Sequence, residues 1–288
     1  MNRKDQMTLI SGKDKHGVFH LGVKSTKGLK PIAVASWKQL LQMPLDEARN
    51  IIENTQGDEI ELVEVLPPID TDGEVWAAGV TYLRSRDART EESGVPDVYT
   101  RVYEADRPEI FFKAIGSRVV CENNWVGIRY DSTMSVPEPE VAILVNNKKE
   151  ILGLTICNDV TSRTIEGENP LYLPQAKMYE HSCSLLSSIT PIWEIENLQG
   201  VEISAQIMRQ GKALWEATTS LAQLKRPFEV LVDYLYRCYK FENGVVFSTG
   251  TGIVPPMDIS LSEGDLVQIQ ASHIGELCNP VKLVQEVN

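Results

Sequence analysis

The sequence predicts an α+β fold rich in β-structure: a mixed, mostly antiparallel core rolled like a barrel, not a doubly wound sheet, beside a small N-terminal α+β domain. Three observations carry this expectation. Apolar runs of strand length recur between Gly- and Pro-rich turns, as at 75–78, 109–114 and 151–157. Single-sided alternation is common among them, while stretches with helical periodicity are few. The 288 residues also hold ample material for one large core and a small one.

In chain order, residues 8–34 read as short strands between turns, with 18–23 and 32–34 the clearest. A helix follows on the stripe Leu45, Ala48, Ile51 and Ile52, with Pro44 near its start. Residues 60–66 read as a strand. Pro67-Pro68 then marks a boundary, assigning 1–70 to an accessory domain and 71–288 to the larger unit. There the apolar strand at 75–78 runs into Gly79-Val80-Thr81-Tyr82, with Ser85 just beyond. Residues 84–108 crowd Arg84, Arg86, Asp87, Arg89, Glu91 and Glu92 around the break Ser93-Gly94-Val95-Pro96. Such a segment reads equally as a lid or as a disordered surface loop.

Further on, residues 201–208 and 213–217 form a hairpin about Gln210-Gly211. Pro227 opens a helix with Phe228, Leu231, Leu235 and Cys238 on one face. The loop Ser248-Thr249-Gly250-Thr251-Gly252 offers backbone N–H groups and a hydroxyl to an anion such as a carboxylate. It lacks the Walker spacing and lysine of a phosphate cradle.

Charge and cysteine usage narrow the function classes. With 28 basic against 40 acidic residues the net charge is −12, which argues against nucleic acid or an anionic membrane as partner. No apolar run approaches a membrane span, and the first residues lack the apolar core of a signal peptide. Cys121, Cys157, Cys183, Cys238 and Cys278 are dispersed, without Cys-x-x-Cys spacing, as expected of reduced thiols in the cytoplasm.

The chemistry centres on Val136-Pro137-Glu138-Pro139-Glu140, which runs directly into the apolar segment 141–145. Residues i and i+2 of a strand share a face, so Glu138 and Glu140 point into one space at the mouth of a buried strand. Like charges held there need a partner or a proton, and an oxygen-only pair suits Mg²⁺ or Mn²⁺ better than zinc. The alternative is a solvated acidic turn. The apolar run at 151–157 ends in Asn158-Asp159, which makes Asp159 a third candidate ligand, although Asx residues after strands commonly just start turns. Glu109 is either a catalytic carboxylate or an edge residue. Ser182 and Cys183 beside His181 do not amount to a nucleophile, because adjacency in sequence is not triad geometry. Lys177 is a better candidate, since an ammonium beside carboxylates and a metal can move a proton or stabilise an enolate.

Gly79-Val80-Thr81-Tyr82, Pro108-x-x-Phe111-x-Lys113, Glu138-x-Glu140, Asn158-Asp159-Val160-Thr161-x-Arg163, Lys177, Thr249-Gly250-Thr251-Gly252 and Ile274-Gly275-x-Leu277-x-Asn279-Pro280-Val281 occur in this order. The set resembles the fumarylacetoacetate hydrolase superfamily over roughly residues 75–285. The resemblance implies a mixed β-roll, usually dimeric, with Mg²⁺ or Mn²⁺ on Glu138, Glu140 and Asp159. It also places Lys177 beside a bound 2-keto acid and Thr251, with Gly250, at its carboxylate. Arg163 belongs to the same implied substrate-binding set. Hydrolases of this group carry His, then Glu three residues later, where this chain has Ser85 and Ala88, neither of which can activate water. The proline-braced pair, the Gly-Val-Thr-Tyr turn and Glu109 look instead like the 2-keto-3-deoxy-D-arabinonate dehydratase branch. That likeness implies dehydration of a 2-keto-3-deoxy-pentonate to 2,5-dioxopentanoate through a metal-stabilised enolate. Lys177 and Glu109 would then move protons and Ser85 would bind a substrate hydroxyl. An acylpyruvate hydrolase, an oxaloacetate decarboxylase and a non-catalytic metabolite-binding relative remain the alternatives.

Overall fold

The computed structural model describes residues 6–92 and 96–286. Its backbone is a β-rich, mixed-sheet α+β fold. The central strands of the larger sheet lie in the order Ser188–Pro191, Ile151–Asp159, Pro139–Val145, Val245–Thr251, Glu74–Gly79 and Glu109–Ile115. All neighbours are antiparallel except Val245–Thr251 with Glu74–Gly79. The path ends at open edges, so the roll does not close into a barrel. A second, five-stranded sheet runs Lys212–Ser220, Glu202–Arg209, Leu266–Ala271, Gly275–Val284 and Val126–Arg129.

Strand Pro139–Val145 is buried at every position because both faces of the larger sheet are covered. Val141, Ile143 and Val145 face Ile203, Ile207, Val267 and Ile269 of the second sheet and the helix Phe228–Tyr236. Ala142 and Leu144 face the opposite core with Trp37, Leu40, Ala48 and Ile52 of the N-terminal helices. A strand covered on both sides reads as a continuous apolar run, and this is the origin of the signal at 141–145. The N-terminal strands join the same sheet, since Leu9 and Ile10 pair with Ile189 and Ser188.

Several expectations shift. The helix at 45–52 forms as Leu45–Glu53. The strand expected at 32–34 lies earlier, at Gly28–Pro31. Only Glu64–Leu66 of the 60–66 run is strand, and its Val65 is half exposed, so apolar content there reports no core. The segment 84–108 is not a disordered loop through most of its length. It forms helices Leu83–Glu92 and Pro96–Glu104, the first concealed by its charged composition and the second with Tyr99 buried and Val98, Val102 and Tyr103 partly so; residues 93–95 lie outside the described residues. Helix Phe228–Tyr236 ends before Cys238, which is exposed. The hairpin forms as expected, with Gln210 and Gly211 at φ of 52° and 76°, the left-handed pair that a two-residue turn requires. Residues 245–251 are strand where a loop was expected at 248–252.

Candidate active site

Antiparallel pairing brings alternate strand ends to one rim of the larger sheet. Glu140 pairs with Cys157, two residues before Asp159, and on its other side with Thr251. Glu109 pairs with Gly79. Glu109, Gly79, Thr251, Glu140 and Asp159 therefore line a single edge, and Glu138 precedes it in sequence. One carboxylate oxygen each from Glu138, Glu140 and Asp159 lies within 4.8 Å of the others, and all three residues are buried. An enclosed, oxygen-only donor set of this size fits a hard divalent cation, Mg²⁺ or Mn²⁺.

Cations of the chain surround these oxygens. Lys177 Nζ donates to Glu138 Oε2 at 2.6 Å and to Asp159 Oδ2 at 2.9 Å, spanning the two ligands as an ion would. Glu138 Oε1 accepts from Arg89 at 2.6 Å and from Arg163 at 3.2 Å. Burial alone would raise the Glu138 pKa, but Arg89, Lys177 and Arg163 together hold it far below the usual range. Glu140 is held instead by neutral donors. Its Oε2 accepts from Ser248 Oγ at 2.5 Å and from the Gly250 N–H at 2.9 Å. Burial, reinforced by the charges of Asp159 and Glu138, pushes it up to about 8. Lys113 Nζ lies 2.5 Å from Asp159 Oδ1 but directs its hydrogen bonds at the Lys177 and Val160 carbonyls, so it serves as a neutralising charge beneath the site.

Glu109 is partly exposed as a residue, yet its carboxyl is enclosed, and burial raises its pKa. Gly79 makes room for it, because a Cβ there would sit 2.0 Å from Glu109 Oε2. Thus Lys177, Glu109 and the three carboxylates come together. Arg163 reaches the same cluster through Glu138. Gly250 supplies its N–H to Glu140 and not to a free anion. Thr251 Oγ1 donates to the Ile253 carbonyl at 3.0 Å. Ser85 is buried, and its Oγ accepts from the Tyr82 N–H at 3.2 Å while donating to the Tyr82 carbonyl at 2.8 Å, which closes the first turn of helix Leu83–Glu92. The hydroxyls of Ser85 and Thr251, expected at the substrate, are thus engaged within the chain. Three charged residues were given no role from sequence: Lys113, Arg89 and Glu166. A lysine inside the apolar strand Glu109–Ile115 was a usable signal for the first. Nothing in the charged run at 84–92 marks Arg89 as the side chain that turns inward.

This geometry defines a carboxylate-ligated metal centre at the rim of a mixed β-roll, and the chain belongs to the fumarylacetoacetate hydrolase family. The family described as fumarylacetoacetate (FAA) hydrolase C-terminal matches residues 100–282. Within that family it is 45% identical over 217 residues to the probable 2-keto-3-deoxyxylonate dehydratase of Haloferax volcanii, covering 75% of this chain and 74% of that one. It is 38% identical over 228 residues to the 2-dehydro-3-deoxy-D-arabinonate dehydratase of Saccharolobus solfataricus, covering 78% and 76%. A solved 2-keto-3-deoxy-D-arabinonate dehydratase, complexed with magnesium and 2,5-dioxopentanoate, matches with a TM-score of 0.82 at 30% identity, over 97% of this chain and 100% of that one.

Proposed function

We propose that this chain is a Mg²⁺-dependent dehydratase that converts a 2-keto-3-deoxy-pentonate to 2,5-dioxopentanoate. One observation carries the reading: Lys177 and Glu109 stand at the same rim as the three ligands, while Ser85 and Ala88 on the overlying helix are packed inward and offer no base for water. Likeness to two named dehydratases over three-quarters of the chain supports it.

Glu138, Glu140 and Asp159 would hold the ion, which would supply Lewis acidity that acidifies the protons next to the 2-keto group. Lys177 stands between two ligands, and once it has given up the proton it shares with their carboxylates its free amine takes a proton from C3. Glu109, whose enclosed carboxyl favours the protonated form, gives its proton to the 4-hydroxyl as the C4–O bond breaks and water leaves. Loss of a C5 proton with protonation at C3, followed by loss of the 5-hydroxyl proton with protonation at C4, then turns the C5 alcohol into the aldehyde. Thr251 holds the substrate carboxylate and Ser85 a hydroxyl, each exchanging a bond it makes within the chain. Gly250 and Arg163 act through Glu140 and Glu138, which they orient.

The same reading makes the protein a cytoplasmic homodimer; among the described residues no helix is long and apolar enough to cross a membrane. Incubation with Mg²⁺ and a panel of 2-keto-3-deoxy aldonates, read as aldehyde product, tests the activity. Pyruvate release from acylpyruvates or oxaloacetate without aldehyde formation would replace it by hydrolysis or decarboxylation. Light scattering of the purified protein checks the dimer.

A further inference from the structure

Helix Leu83–Glu92 is not held to the core by apolar burial. Among its described side chains the buried ones are Ser85, Ala88 and Arg89, and Leu83 is half exposed. A helix of ten residues without a buried apolar face is marginal by itself, so something else must keep it in place. Cations do so at both ends of the helical pair. At the far end, Arg226 donates to the carbonyls of Val102, Tyr103 and Ala105 around the C-terminus of helix Pro96–Glu104, and Lys225 Nζ stands 4.1 Å from the Tyr103 ring centroid. At the near end, Arg89 enters the metal centre. Its guanidinium donates to Glu138 Oε1 and pairs closely with Glu166 on the separate helix Arg163–Glu168.

The two oxygens of Glu138 are thereby divided. Oε1 is taken by the guanidiniums of Arg89 and Arg163, whereas Oε2 accepts from Lys177, whose ammonium also reaches Asp159. The geometry points to Arg89 as a positioning residue of this site: it fixes one oxygen of Glu138 so that the other is presented to the ion, and through Glu166 it draws helices Leu83–Glu92 and Pro96–Glu104 down over the substrate. This rests on the dehydratase reading for its kinetic consequence but not for its structural one. A planar fork reaching two carboxylates on different elements is a task for arginine that lysine performs poorly. Groups that orient a metal ligand carry large effects without touching the ion.

The test combines hydrogen–deuterium exchange of the metal-free and Mg²⁺-loaded protein with steady-state kinetics. In Arg89→Met, amides of 83–104 exchange about tenfold faster while those of Pro139–Val145 are unchanged, and kcat falls roughly 100-fold with a smaller change in KM. Arg89→Lys recovers part of the kcat, and Glu166→Gln loosens the same helices about threefold. Wild-type exchange at 83–104 in both Arg89→Met and Glu166→Gln, or an Arg89→Met kcat/KM within about twofold of wild type, overturns the assignment. Should Arg89→Met not fold, Glu166→Gln and Arg89→Lys decide by the same exchange readout. A wild-type protein inactive on every keto-deoxy acid would sink the dehydratase reading alone, because exchange still reports whether Arg89 ties down the helices.

Discussion

Strand Pro139–Val145 is buried at every position, whereas helix Leu83–Glu92, which reaches Glu138 just before that strand, buries Ser85, Ala88 and Arg89 alone among its described side chains. The strand is fixed by two apolar cores, one on each face, and carries its ligands as an extension of that packing. The helix is fixed by hydrogen bonds and charge. Apolar burial changes little with pH, salt or metal, whereas ion pairs between partly buried groups respond to all three. The back of the site is therefore a fixed frame, and its front is the part that answers to what is bound.

The comparison breaks most completely at the ligands. Glu138→Gln or Asp159→Asn should abolish measurable Mg²⁺ binding by calorimetry and lower aldehyde formation by about 10³-fold or more, with the fold retained by circular dichroism. Lys177→Ala removes the group that spans Glu138 and Asp159. Turnover should fall by roughly 10²–10⁴-fold while Mg²⁺ still binds, and full activity in this variant would remove Lys177 from the mechanism.

A third measurement sharpens the comparison through pH. Glu140 of the metal-free protein is pushed up to about 8, so at neutral pH it holds a proton that the ion must expel. Mg²⁺ affinity should rise about tenfold per pH unit up to that value and then level off. Calorimetry in buffers of different ionisation enthalpy reads the released proton directly, and an affinity independent of pH between 6 and 8, roughly, would contradict it. The same shift has a definite sign for stability. A carboxyl raised above its unfolded value binds a proton preferentially in the folded state. Its contribution to metal-free stability is therefore present at low pH and is lost as pH rises from the ordinary carboxylate range through about 8.

The smallest effect concerns the helix start. Ser85→Ala removes the hydroxyl that closes the first turn and should cost about 1 kcal/mol of stability. Faster proteolysis within 83–104 and a change in KM larger than that in kcat would place Ser85 at both the helix start and the substrate.

Why the frame was legible and the front was not follows from the same contrast. The run 141–145 announced a strand covered on both faces, and the period of two then placed Glu138 and Glu140 together. Asp159 was found because a second apolar strand ended beside the first. Lys113 stood in the motif set but was given no role, although a lysine in the middle of Glu109–Ile115 is a clear anomaly. Arg89 was not recoverable, since among six charged residues at 84–92 no periodic pattern distinguishes the inward one. Apolar content misled at 60–66, where Val63 and Val65 remain exposed and only three residues pair as strand.

Gly79 and Glu109 face each other across two antiparallel strands, and the space a methyl group would need at 79 is filled by the acid's own oxygen. The two positions consequently behave as one unit of heredity. Enlarging the first displaces the Glu109 carboxyl, and shortening the second leaves a hole over the first. Anyone redesigning this rim would have to rewrite both together.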